Sequence, residues 1–287
     1  MAKSTFPVSE ARPLIEIPKE IPQIGFLGGN AGGEINDSIR KDYKGNSALQ
    51  VGKYSNGIVN GSNPLYAVAV QNRLPAGVRV ASQRDLEKAM KFGVYDFRGT
   101  YEDTGLVLRS DDNPNSYLAG NLMTQVQDRL GKNAKIKGPI MIPLYELELA
   151  KDSDSPHGLS FKLKEDAELT LAPMLSGENH GKRFSKTDEL SGLPKELGEG
   201  NRTLYTRDSG LSRLYLDRFL GLGSYFGDLA DSYGNGRVVL VSTAEGGAQE
   251  FFAQKMAELG RINDEKIAQM GADYAEAQKI MNRNRPK

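Results

Sequence analysis

The densest run of chemically capable side chains lies between residues 201 and 237. Five arginines (Arg202, Arg207, Arg213, Arg218 and Arg237) share it with four aspartates (Asp208, Asp217, Asp228 and Asp231), and the segment holds no lysine. Serines and tyrosines fill the intervals, among them Tyr205, Tyr215, Tyr225 and Tyr233. A guanidinium presents a planar fork that matches a carboxylate or phosphate two-pronged and stacks on aromatic faces. Arginine interleaved with tyrosine is also the composition of surfaces that hold single-stranded nucleic acid. The segment therefore has two readings. One is a network of Arg–Asp pairs that holds a sheet face and its turns. The other is an anion- or partner-binding surface built from Arg202, Arg207, Asp208, Arg213, Tyr215, Asp217 and Arg218.

Other groups carry weaker signals. Glu102-Asp103 reads as part of a tight loop between two strands, followed by Arg109, Asp111 and Asp112. Paired carboxylates serve in acid–base catalysis or hold a divalent cation through oxygen. Asp111-Asp112-Asn113-Pro114 is equally an ordinary turn. Arg129, Lys132, Lys135 and Lys137 form a basic run without an intervening acid, suited to RNA or another anionic partner, or to a solvated loop. His157 and His180 are the only histidines, and neither stands in a nucleophile motif. The glycine-rich stretch Gly25 to Gly33 has the flexibility of a phosphate-cradling loop. It lacks the third glycine of the dinucleotide pattern, and Glu34-Ile35 stands where a P-loop has Lys-Ser/Thr. It reads as a flexible arm. No metal site and no cofactor is expected.

Composition narrows the classes. The 287 residues carry 37 basic and 37 acidic side chains. A neutral balance counts against a dedicated duplex binder, whose affinity comes mainly from neutralised phosphates. The absence of cysteine excludes disulfides, thiolate zinc sites, iron–sulfur ligation and cysteine nucleophiles. No apolar run reaches the ~18–20 residues that span a bilayer, and the first residues lack the apolar stretch of a signal peptide. A cytoplasmic protein with no membrane partner is the expectation.

The elements that must position these groups read as an α+β protein with a mainly antiparallel or mixed sheet. Residues 1–64 form a Gly/Pro-rich, extended N-terminal arm, punctuated by Pro7, Pro13, Pro18 and Pro22 and by two Asn-Gly turn signals. Residues 65–243 form the body. Leu65 to Val70 is a continuous apolar run of strand length. Two helices are expected in the first half: one over 83–92 behind the Ser82/Asp85 cap, and one over 116–130 ending at Gly131. Strands follow from Ile140 to Leu171, then a polar loop or flap over 173–201, then strands within 204–241. Residues 244–287 form a long amphipathic helix, interrupted at Gly260 and Gly271, and a basic tail.

The function this supports is non-catalytic binding of a macromolecular partner, protein or RNA, through the Arg/Tyr-rich surface and the C-terminal helix. That helix would also serve a homo-oligomer. One alternative is an enzyme for a phosphorylated or nucleotide-like substrate, with Arg207, Arg213 or Arg218 as the clamp and Glu102, Asp103 or Asp208 as acid–base groups. Another is a structural or assembly subunit.

Overall fold

The structure, a computed structural model, describes residues 23–131 and 136–242. The expected C-terminal helix and basic tail over 244–287 lie outside the described residues, as do residues 1–22 of the arm and Lys132 and Lys135 of the basic run.

The first half holds β1 (Gln23–Phe26), α1 (Gly29–Asp42), β2 (Lys53–Ser55), β3 (Ile58–Ser62), α2 (Pro64–Gln71), β4 (Val78–Val80), α3 (Gln83–Lys91), β5 (Tyr101–Leu108) and α4 (Ser116–Leu130). Next come β6 (Ile140–Pro143), β7 (Leu147–Lys151), β8 (Leu159–Leu163), β9 (Thr170–Leu171) and β10 (Arg183–Phe184). The last strands are β11 (Arg202–Tyr205), β12 (Leu211–Leu216), β13 (Leu222–Gly223), β14 (Tyr233–Arg237) and β15 (Val239–Ser242).

Among the described residues four α-helices therefore stand where two were expected. The two expected ones are α3 and α4. The Ser82 hydroxyl and amide both bond the Asp85 carboxylate at the start of α3, and Gly131 ends α4 at φ 94°. The apolar run Leu65 to Val70 is not a strand but α2. Asn63 accepts the Tyr66 amide at 2.7 Å, and Pro64 occupies the first turn, where its missing N–H costs nothing. Every residue from Pro64 to Val70 is buried, and a helix buried all round has no polar face to reveal its period. The glycine-rich segment supplies the first turn of α1, where low helix propensity concealed it. Gly32 is needed there, because a Cβ would press on the Leu27 backbone at 3.0 Å.

β5 is the axis of the main sheet, which has ten strands among the described residues, while β1-β15-β4 and β7-β8 form smaller ones. The main order is β10-β11-β13-β12-β5-β14-β3-β2, with β6 against β5 and β9 against β6. Only β11–β13 and β14–β5 are parallel. The loop expected around Glu102-Asp103 is thus the first half of the central strand. The largest core gathers α2 and α4 with Leu106, Leu108 and Leu211. A second packs Val107 and Leu214 against Phe184, Leu193 and Leu204. A third joins Leu86, Phe97, Leu216, Val239 and Val241.

Candidate functional site

The site is built where β5 meets β12. Their antiparallel register runs Leu108 to Leu211 and Leu106 to Arg213, shifts between Leu214 and Tyr215, and resumes with Asp103 opposite Tyr215. A strand sends successive side chains to opposite faces. Tyr101 and Asp103 therefore share one face with Tyr215, while Glu102 shares the other with Leu216.

On the first face Arg213 meets Asp103 as a fork, Nε to Oδ1 and Nη2 to Oδ2, both at 2.8 Å. The Ser62 hydroxyl donates to the same carboxylate at 3.2 Å, and Arg213 Nη1 donates to the Asp231 carbonyl at 3.1 Å. The pair thereby satisfies most of the polar valences that burial would otherwise leave costly.

Above it lies a connected set of aromatic rings. Arg213 sits 5.6 Å from the Tyr215 ring centre and 5.9 Å from that of Phe226. Tyr101 stacks on Tyr233 at 4.7 Å and 15°, and lies 5.8 Å from Tyr215. Phe226 links Tyr233 (6.3 Å) to Tyr225 (6.2 Å), and Tyr225 continues to Tyr205 (5.8 Å) and His180 (6.1 Å). His180 is anchored by its Nδ1, 2.8 Å from the Thr206 carbonyl. Tyr225 and Tyr233 are 40% and 36% exposed, whereas Tyr215 is buried. Burial pushes the phenols of Tyr101, Tyr215 and Tyr233 above their ordinary range. They therefore remain neutral hydrogen-bonding groups at physiological pH.

Two arginines flank the rings without an acidic partner in ion-pair range among the described residues. Arg207 donates to the Tyr225 and Ser209 carbonyls, and burial lowers its pKa. Arg218 lies over the exposed ring of Phe219 at 4.7 Å. Beneath the face Arg109 acts as a strut. Its guanidinium donates to the Leu175 and Ser224 carbonyls and to the Ser212 and Ser224 hydroxyls. Burial first, and Arg207 second, push it down to about 9.

The structure separates the other residues named from sequence. Arg202 forks onto Glu87 of α3 at 2.6 and 2.7 Å. It ties the 183–205 region to that helix, and its side chain is only 11% exposed. Asp217 accepts the amides of Phe219 and Gly221 and closes the turn after β12. Asp208 is exposed beside Arg207. Arg129 caps backbone carbonyls of Lys164 and Ala167. Lys137 is exposed. Tyr101, Tyr205, Tyr225, Phe226, Tyr233 and His180 belong to the face but not to the binding surface assigned from sequence. Tyrosine spacing within 201–237 hinted at Tyr225 and Tyr233, whereas nothing linked Tyr101 or His180 to them.

Glu102 is the exceptional group on the reverse face. It is 1% exposed, and neither carboxylate oxygen has a hydrogen-bond partner. The nearby Thr100 hydroxyl donates instead to the Phe97 carbonyl at 2.8 Å. Arg237 is its neighbour in the parallel β14 register, but Arg237 donates to the Tyr95 hydroxyl and leaves its own Nε unpartnered. Burial pushes the Glu102 carboxyl up to about 8. Among the described residues no group of three or more histidine or carboxylate side chains is close enough to hold a metal ion, and no helix is long and apolar enough to cross a membrane. Comparison of the chain with protein-family models, with curated proteins and with solved structures gave no match.

Proposed function

We infer that the chain is a non-catalytic binding protein that meets a macromolecular partner through the tyrosine–arginine face centred on Arg213. The observation that carries this reading is the open ring set. Tyr225 and Tyr233 remain more than a third exposed although Phe226, which they both pack against, rests on a buried, fully committed ion pair. Rigid aromatic rings presented to solvent, with arginine nearby, are the anchors that partner surfaces favour.

The enzyme alternative has less support. Arg213 and Asp103 are committed to each other, so neither is free to clamp or to transfer a proton. Glu102 is on the reverse face of β5, away from Arg213. Of the clamp and acid–base groups named for an enzyme, Arg207 and Asp208 lie side by side, and Asp208 is exposed.

The test is capture from a native extract by the full chain, with three baits in parallel: wild type, Tyr225→Ala/Tyr233→Ala, and Tyr54→Ala. Tyr54 is an exposed ring on β2, outside the face. A macromolecule held by wild type and Tyr54→Ala, and lost from the double variant, is the expected result. Equal capture by all three, or no capture, would overturn the reading.

A further inference from the structure

The rings and the two free arginines define the chemistry of an occupant more closely. We propose that the face binds single-stranded RNA, with bases stacking on the exposed edge of the Tyr101–Tyr233–Phe226–Tyr225–Tyr205 set and phosphates meeting Arg207 and Arg218. This rests on the binding function inferred above.

Three observations favour this occupant over a duplex or a protein. First, neighbouring rings in the set are 4.7 to 6.3 Å apart, within the range over which bases and rings pack in offset or edge contacts. A single strand can splay its bases onto such rings, whereas a duplex hides them. Second, the cations sit at the two ends. Arg207 is tied to the Tyr225 carbonyl, and Arg218 lies close enough to Tyr101 to influence its phenol. That arrangement offers a phosphate contact towards each end of the rings, with Asp208 beside Arg207 and Asp217 beside Tyr101 limiting the positive potential, while under the middle Arg213 is neutralised by Asp103. Third, phenols are grouped on the face, with the Tyr101 ring 4.7 Å from Tyr233 and 5.8 Å from Tyr215. Clustered hydroxyls that donate and accept suit the ribose 2′-hydroxyl, the group that separates RNA from DNA.

The charge balance adds a quantitative constraint. With 37 basic and 37 acidic residues overall and two free arginines at the face, phosphate neutralisation can supply little affinity. Two phosphate contacts on a single strand give a log–log salt slope of roughly −1.4. Stacking must supply the rest, at roughly tenfold or more in affinity per base.

The experiment uses the full chain and fluorescence anisotropy with labelled adenosine homopolymer RNA of about ten nucleotides, within the usual site size of such surfaces. The DNA of the same length and an RNA duplex form the comparison arms. Urea unfolding of each variant verifies the fold. The expected order is single-stranded RNA, then single-stranded DNA, then duplex, with the shallow salt slope above. Tyr225→Ala/Tyr233→Ala weakens RNA binding about tenfold or more at the same slope. Arg207→Gln/Arg218→Gln brings the slope towards zero. Duplex binding as tight as single-strand binding would overturn the proposal. So would a slope several times steeper, or RNA binding indifferent to the tyrosines. If no RNA binds but the extract capture still depends on Tyr225 and Tyr233, the RNA assignment fails and the binding function stands. If that capture also fails, both fall.

Discussion

Arg213 and Asp103 close a two-pronged ion pair between β12 and β5 in which each side chain is only 2% exposed. The pair is a structural base for the face above it, since Tyr215 and Phe226 both rest on the guanidinium. Removing one partner of a buried pair strands the other charge in a low-dielectric site. Asp103→Asn is therefore expected to cost about 3–5 kcal/mol in urea unfolding. The double replacement Arg213→Met/Asp103→Leu, which leaves no stranded charge, recovers much of that loss. Additive losses in the double variant would show that the two side chains do not act as a pair.

Glu102 makes stability depend on pH in an unusual direction. Its carboxyl is raised from an ordinary value of 4.5 to about 8 by burial. Between those values the folded state holds a proton that the unfolded state has released. Stability is highest below about 4.5 as far as this group is concerned, and it falls as pH rises to about 8. The loss approaches about 1.4 kcal/mol per pH unit within the window and levels off above it. Glu102→Gln, an uncharged mimic, is expected to flatten that slope and to be more stable than wild type at pH 8. Urea midpoints from pH 5 to 9 on both proteins check this. A wild-type curve without a Glu102-dependent decline would mean that the group is solvated or paired in solution.

Arg202 and Arg218 are alike in sequence and unlike in the fold, which marks where sequence reading stops. Arg202 finds Glu87, which is 115 residues away in the chain, and no local pattern announces that partner. Arg218 finds only the exposed Phe219 ring. The same limit applies to the elements. α3 and α4 were legible because each has a cap or stop and one apolar stripe. α2 was not, because burial on all sides erases the stripe, and the first half of β5 was not, because Tyr101-Glu102-Asp103-Thr104 looks too polar for a central strand, although Leu106 to Leu108 read as one. Those polar residues are satisfied inside the sheet: Asp103 holds Arg213, and Thr104 donates to the Leu214 carbonyl and bonds Gln83. The composition of 201–237 located most of the face. Tyr101 and His180 come from distant segments that only the sheet register and the Thr206 anchor bring in.

The Glu87–Arg202 fork predicts how the 183–200 segment is held. Glu87 also accepts from Gln83 at 2.7 Å and from Thr187 at 3.4 Å, so one carboxylate joins α3, the segment and β11. Glu87→Gln keeps the shape but loses the charge, which is expected to destabilise by about 2–4 kcal/mol at this low exposure. Trypsin should then cut faster at Lys186 or Lys195 while the remaining fold persists. Unchanged cleavage there would indicate that the segment is held by its backbone bonds to β11 and by Leu193 alone.

Tyr225→Ala and Tyr233→Ala should separate binding from stability. Both rings are partly exposed, so each truncation forfeits only part of its burial, about 1 kcal/mol or less in urea unfolding. A loss above about 3 kcal/mol for either would instead place these rings in the core and remove them as contact residues.

Gly223 tests whether the ring set depends on one close approach. It pairs with Tyr215 across β12 and β13, and a Cβ there would overlap the Tyr215 ring carbons. The backbone itself is not the obstacle, since Gly223 is not among the positive-φ glycines. The obstacle is the ring, buried between Arg213 and Tyr101, with little room to swing away. Gly223→Ala is expected to cost about 1–3 kcal/mol, the usual price of overpacking a filled site. It should also change the near-ultraviolet circular dichroism, because the displaced ring alters its coupling to Tyr101 and the chain has no tryptophan to mask the signal. Gly234→Ala, on β14 with open space around its Cβ position, is the control and should do neither. If both variants behave alike, Tyr215 is free to move, and the ring set does not depend on the contact with Gly223.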